Sequence, residues 1–142
     1  MRQILLFAAL TAVLALLLVS CGGTKGKPVP TEEDAPGKAA YHKISAEEAY
    51  EMMASQEVVV VDVRTREEYD GGHIENAVLV PNESIGSEMH EALPDKEATL
   101  LVYCRSGRRS KDAAQKLLEL GYQSVYDFGG VIDWPYELVK EG

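Results

Sequence analysis

The run Val58-Val59-Val60-Val61-Asp62-Val63 restricts the fold of this chain more than any other feature. β-Branched side chains crowd the preceding turn of a helix but sit well on a pleated strand. A run without polar alternation suits a strand covered on both faces, as in parallel sheets flanked by helices. Leu100-Leu101-Val102-Tyr103 is a second run of this kind. Ala77-Val78-Leu79-Val80, closed by Pro81, and Val125-Tyr126 are shorter candidates. Helical patterns lie between them. Ser45-Ala46-Glu47-Glu48 and Thr65-Arg66-Glu67-Glu68 are capping-box sequences. The first opens a helix with Ala46, Ala49, Tyr50 and Met53 at helical spacing, the second a short helix that stops at Gly71-Gly72. Ser110 to Leu120 reads as a helix with Ala113, Ala114, Leu117 and Leu118 inward and Gly121 as its stop. Helices are also expected over Glu83 to Leu93, despite Gly86, and around Trp134 to Val139. Alternating strands and helices predict an α/β fold, a mostly parallel sheet with helices on both faces.

The 142 residues suit one domain, and the chain has no internal repeat. Its first 20 residues carry a single charge, Arg2, and are apolar from Ile4 to Val19 except at Thr11. The run ends Leu18-Val19-Ser20-Cys21-Gly22-Gly23, which resembles the lipobox of bacterial lipoproteins. That resemblance implies a signal peptide over 1–20, diacylglycerol on Cys21, and a domain held outside the cytoplasm on a bacterial membrane of the cell envelope. Residues 21–40 are rich in Gly, Pro and charge, with Val29 the only large apolar residue of the stretch after Cys21. Such a composition cannot bury enough surface to order itself, so a disordered tether is expected, and the folded domain is 41–142.

Charge narrows the partners. The chain has 14 basic and 23 acidic residues, a net of −9, which argues against nucleic acid as a ligand. Within 41–142 the balance is 10 basic to 20 acidic, yet Arg105, Arg108, Arg109 and Lys111 fall together in one short stretch. An acidic body with one basic spot suits a small anionic ligand. Two cysteines exclude a disulfide-dense scaffold and a Cys-rich zinc site, and three scattered histidines argue against a His-ligated metal.

In parallel sheets the sites form beyond the carboxyl ends of the strands. Asp62 and Cys104 occupy such positions. Cys104 opens the segment Cys104-Arg105-Ser106-Gly107-Arg108-Arg109-Ser110, and a helix follows at once. A loop there can turn successive backbone N–H groups toward the sulfur, and the helix start adds its positive dipole end. Arg105, Arg108 and Arg109 add formal charge, and Gly107 permits a tight bend. The expected result is a Cys104 thiol that ionises well below the free value of about 8.5. Asp62 is read either as orienting a loop arginine or as capping the strand end. Arg64 with Glu67 or Glu68 reads as a structural pair, His73 as satisfying a turn, and Trp134 and Tyr136 as core residues. His42 and His90 give no signal.

With these residues in hand, the segment 41–142 resembles the single-domain rhodaneses, which are sulfurtransferases. The resemblance rests on the loop and its helix, on Asp62-Val63-Arg64, Glu68-Tyr69, Gly72-His73-Ile74, Ala77 and Pro81 upstream, and on Leu120-Gly121-Tyr122, Val125-Tyr126 and Gly129-Gly130-Val131-Ile132-Asp133-Trp134 downstream. It implies a three-layer rhodanese-like fold with a central sheet of about five strands, as a monomeric domain. It also implies that Cys104 takes a sulfur from a small anionic donor, thiosulfate-like or a persulfide, and passes it to a thiol or cyanide-like acceptor, including a thiol of a partner protein. The amides of Arg105, Ser106, Gly107, Arg108 and Arg109 would cradle the persulfide, with no metal or organic cofactor. A cysteine phosphatase or arsenate reductase would place Arg six positions after the cysteine, where this chain has Ser110, and Tyr103 stands where many phosphatases have His. A non-catalytic module that stores sulfur remains a third reading, and a redox role lacks a resolving cysteine.

Overall fold

The computed structural model describes residues 39–140. Five strands, β1 (Ala40–Lys43), β2 (Val59–Asp62), β3 (Val78–Leu79), β4 (Thr99–Cys104) and β5 (Ser124–Gly130), form one parallel sheet in the order β1-β5-β4-β2-β3. Three helices connect them: α1 (Ala46–Ser55), α2 (Arg66–Asp70) and α3 (Arg108–Glu119). The sheet therefore has the α/β architecture its apolar runs predict. Both capping boxes are formed, with Ser45 and Thr65 each accepting from the N–H three residues on, while Glu48 and Glu68 return the bond.

Residue parity sorts the side chains into two layers. Along β4, Leu100, Val102 and Cys104 join Val61, Val63, Ala113, Ala114 and Leu117 in the layer of α3. Leu101 and Tyr103 point the other way and pack with Val60, Tyr69, Ala49 and Phe128 in the layer of α1 and α2. All of these core side chains are buried. Helices on both faces follow directly.

Three expectations need correction. Glu83 to Leu93 is not a helix: a single 3₁₀ turn, Asn82–Ser84, gives way to irregular chain. Ser84 Oγ donates to the Pro81 carbonyl at 2.7 Å and His90 Nδ1 accepts from the Ala92 N–H at 3.2 Å, so local side-chain bonds replace helical ones. Ile85 and Leu93 anchor the segment in the core, with Ala92 packed against it. No helix covers Trp134 to Val139 either. Trp134 is extended (φ −76°, ψ 113°) before Pro135, as the proline ring demands, and Val139 instead exchanges two backbone bonds with His73, each 2.9 Å. Finally, β1 begins at Ala40, one residue inside the expected tether. Residues 1–38, with the expected signal peptide, Cys21 and most of the tether, lie outside the described residues.

The strand order fixes where a site can form. The connection leaving β2 runs to β3 on one side, and that leaving β4 runs to β5 on the other. A crevice therefore opens beyond the carboxyl ends of the adjacent strands β2 and β4.

Candidate active site

Cys104 ends β4 at this crevice, with its side chain 1% exposed. The chain then turns through Arg105, Ser106 and Gly107 into α3. Gly107 is left-handed (φ 97°), a conformation that β-carbon sterics disfavour, and it directs its N–H onto Cys104 Sγ at 3.0 Å. Ser110, fully buried in the first turn of α3, lies with Oγ 3.7 Å from the sulfur. Its hydroxyl also bonds the carbonyls of Gly107 (3.0 Å) and Gly129 (3.2 Å), which ties loop, helix and β5 together. Burial pushes the Cys104 thiol up, but bonds from the Ser110 N–H and hydroxyl and from the Gly107 and Ser106 N–H groups outweigh it, and the thiol ionises below its ordinary value. The direction agrees with the sequence reading. The chief stabilisers are hydrogen bonds, with Ser110 first among them, a residue the sequence marks only as the start of a helix.

The floor of the loop comes from β5. Val102 pairs with Asp127 but Tyr103 pairs with Gly129, so Phe128 is an extra residue and β5 bulges. Gly129 (φ 92°) follows the bulge, its N–H held by Asp127 Oδ1 at 2.9 Å. Gly130 then presses flat against the loop, and Ile132 N–H holds the Arg105 carbonyl at 3.2 Å. Asp127 is itself buried and accepts from Tyr41 at 2.9 Å and Lys43 at 3.3 Å. Burial and the Asp127 carboxylate push the Tyr41 hydroxyl up to about 12.

The arginines separate. Arg105 and Arg108 are exposed at the mouth of the loop. Arg109 is half-buried and forms a two-pronged ion pair with Glu68, Nη1 to Oε2 at 2.7 Å and Nη2 to Oε1 at 2.8 Å. Asp62 holds no loop arginine. It lies on the opposite face of the sheet from Cys104, where it accepts from Arg64 (Nη2 to Oδ2, 2.6 Å) and from Tyr103 OH at 2.6 Å. Arg64 also donates to the Gly72 carbonyl at 2.8 Å, so this buried trio caps the end of β2 and braces the following turn. Arg64 thus pairs with Asp62, not with Glu67 or Glu68. His73 satisfies its turn as expected, with Nδ1 2.9 Å from the Tyr69 carbonyl and its ring stacked on Tyr69. Trp134 is part-buried beside Phe128, and Tyr136 stacks on Tyr50 at the surface.

A thiol held by amide donors where β4 turns into α3, at the switch point of a parallel sheet, is a compact anion-stabilising nucleophile. The family profile of the rhodanese-like domain matches residues 45–135. The chain belongs to the rhodanese-like domain family. Among curated relatives, the rhodanese-like domain is 38% identical to thiosulfate sulfurtransferase PspE of Escherichia coli (strain K12), over 80 residues that cover 56% of this chain and 77% of that protein. It is 30% identical over 106 residues to the tRNA uridine(34) hydroxylase of Yersinia pestis (strain Pestoides F), covering 71% of this chain but only 30% of the hydroxylase. Among solved structures, a rhodanese-like domain protein from Staphylococcus aureus aligns with TM-score 0.63 at 29% identity, covering 71% of this chain and 99% of that one. A rhodanese with anions from E. coli aligns with TM-score 0.53 at 35% identity, covering 60% and 100%.

Proposed function

We propose that this domain is a sulfurtransferase that works through a persulfide on Cys104. The observation that carries the reading is the Cys104 sulfur, buried at the switch point with the Gly107 N–H 3.0 Å away and three further loop donors favouring its anion. The thiolate attacks the outer sulfur of a donor such as thiosulfate. The donor's S–S bond breaks, sulfite leaves with the electron pair, and Cys104 carries an added sulfur as its persulfide anion. The same loop donors that favour the thiolate then hold this anion, and no metal or organic cofactor is needed. A thiol or cyanide attacks the outer sulfur next, and Cys104 departs as thiolate, which gives ping-pong kinetics. Exposed Arg105 and Arg108 draw the anionic donor to the mouth. A cysteine-phosphatase reading is weaker, because Arg109 falls one position early for that loop, where Ser110 stands six positions after the cysteine.

Mass spectrometry after incubation with thiosulfate tests the reading. The expected result is a gain of one sulfur, released by cyanide as thiocyanate and absent in Cys104→Ser. Sulfur on both proteins, or on neither, overturns it. The lipobox-like run Leu18-Val19-Ser20-Cys21 supports a domain outside the cytoplasm, joined to a membrane by lipid on Cys21. Palmitate labelling of the expressed chain, lost in Cys21→Ser, is the matching test.

A further inference from the structure

Two helices on opposite faces of the sheet meet above the crevice through one contact. Tyr69 of α2 packs in one core layer, Ala113 and Leu117 of α3 in the other, and Glu68 and Arg109 join them over the carboxyl ends of β2 and β4. Glu68 serves two masters. Its Oε2 accepts the Thr65 N–H that closes the capping box (3.1 Å) and also Arg109 Nη1, while Oε1 takes Nη2. A carboxylate already immobilised by its own helix cap is a rigid partner for a guanidinium, and the paired geometry fixes the plane of the fork. Two of the five guanidinium N–H groups are used in this pair, which leaves three for a ligand.

Arg109 is also electrically tied to the nucleophile. Its charge is favoured first by the Glu68 bonds and charge, against burial, and then by the Cys104 thiolate. Of the three loop arginines, then, Arg109 is the one fixed in direction, and it is fixed by a residue 41 positions away.

We propose that Glu68 is a positioning residue that aims Arg109 at the oxyanion end of the ligand attacked by Cys104. The inference rests on the sulfurtransferase reading for its natural ligand, a donor with a sulfonate-like or carboxylate group beside the reacting atom. A neutralised pair adds little net charge, so its contribution is directional hydrogen bonding, while Arg105 and Arg108 supply long-range attraction.

The test uses the intact chain and a chemical probe that needs no turnover. Cys104 is alkylated with iodoacetate, which carries a carboxylate, and with iodoacetamide, which is neutral, and the ratio of the two rate constants is compared among variants. Glu68→Gln keeps an oxygen for the Thr65 N–H, so the helix cap survives while the fork is lost. The expected ratio falls roughly five- to tenfold in Glu68→Gln, in line with the loss of one hydrogen bond of ordinary net worth. Arg109→Lys gives a similar fall, and the double variant is no worse than Arg109→Lys alone. The iodoacetamide rate stays within about twofold, because the thiolate keeps its amide donors. An unchanged ratio in Glu68→Gln overturns the proposal, as do effects that simply add in the double variant. In parallel, Glu68→Gln should raise the KM for thiosulfate more than it lowers kcat. If the native chain takes no sulfur from thiosulfate while the alkylation ratio still follows Glu68, the sulfurtransferase reading falls and the positioning role stands.

Discussion

Gly130 offers a perturbation whose size can be worked from coordinates. Its backbone is extended (φ −120°, ψ 143°), a conformation any residue adopts, so a substitution there carries no dihedral penalty. Space is the whole issue. A β-carbon at Gly130 would sit 2.6 Å from Ser106 Cα and 2.8 Å from the Arg105 carbonyl carbon, and would overlap the Arg105 carbonyl oxygen. Ordinary contact begins near 3.4 Å, so the loop backbone must retreat by about 0.8 Å in Gly130→Ala. The Gly107 N–H is now 3.0 Å from the sulfur, and such a retreat stretches that bond by most of an ångström and weakens it. A displacement of this size at a reacting atom costs on the order of 100-fold in rate. Overpacking of one methyl costs about 1–3 kcal/mol in stability. The assay pairs the pH profile of Cys104 alkylation with the rate of sulfur loading from thiosulfate, on protein shown to be folded by circular dichroism. Gly130→Ala should move the alkylation profile to higher pH and slow loading roughly 100-fold. Gly86→Ala, whose β-carbon meets nothing within 4 Å, serves as the control. A Gly130→Ala protein with the native profile and loading rate would refute the idea that β5 sets the loop geometry.

Other outcomes follow from the same contacts. Ser110→Ala removes the hydroxyl that lies 3.7 Å from the sulfur and helps to favour its anion, so the Cys104 thiol should ionise at higher pH, read from the alkylation profile. Asp62→Asn breaks a fully buried ion pair on the face away from Cys104, and urea denaturation should show a loss of about 3–5 kcal/mol while sulfur loading per folded molecule is nearly unchanged. The Arg109 bonds hold the Glu68 carboxyl at about 2, below its ordinary 4.5, despite the opposing effect of burial. A depressed carboxyl stabilises the folded state above its unfolded value and loses that contribution as pH falls through its folded value. The stability gap between native protein and Glu68→Gln should therefore be full above pH 4.5 and close toward pH 2, as measured by thermal melts.

What the sequence discloses depends on whether a residue's partner is near in sequence. β2 and β4 announce themselves because both faces are covered, so every position must be apolar until the site begins. The capping boxes of α1 and α2 are legible because their bonds span three residues. By contrast β1 is a short edge strand, Ala-Tyr-His-Lys, with alternating exposure and no apolar run to mark it. Its Tyr41 and Lys43 owe their roles to Asp127, more than 80 positions away. The Glu68–Arg109 pair joins positions 41 apart, and the same Glu68 already has a sufficient explanation in its helix cap. Gly129-Gly130 is conspicuous as a doublet, but only the bulge at Phe128 explains why one glycine must turn and the other must be flat. Of the two readings of Asp62, the strand-end cap holds and the loop arginine does not, and the sequence could not choose between them for a plainer reason. Strand-end position places a residue near the crevice without saying which side of the sheet it faces.

That alternation in β4 has a consequence for how the domain can change. Tyr103 and Cys104 are neighbours in sequence, yet one ends in a buried carboxylate network and the other in an anion-stabilising loop, with the sheet between them. Their separation is counted in single residues. A one-residue deletion within Leu100–Val102 would turn each to the other face, delivering the thiol toward Asp62 and forcing the phenol into the core layer of α3. β4 is thus a ruler whose unit is one peptide, and it tolerates substitutions of similar volume far better than any change of length. Natural and engineered variation should accumulate as replacements there, and as insertions only in the irregular chain between Ile85 and Ala98, where no parity is kept.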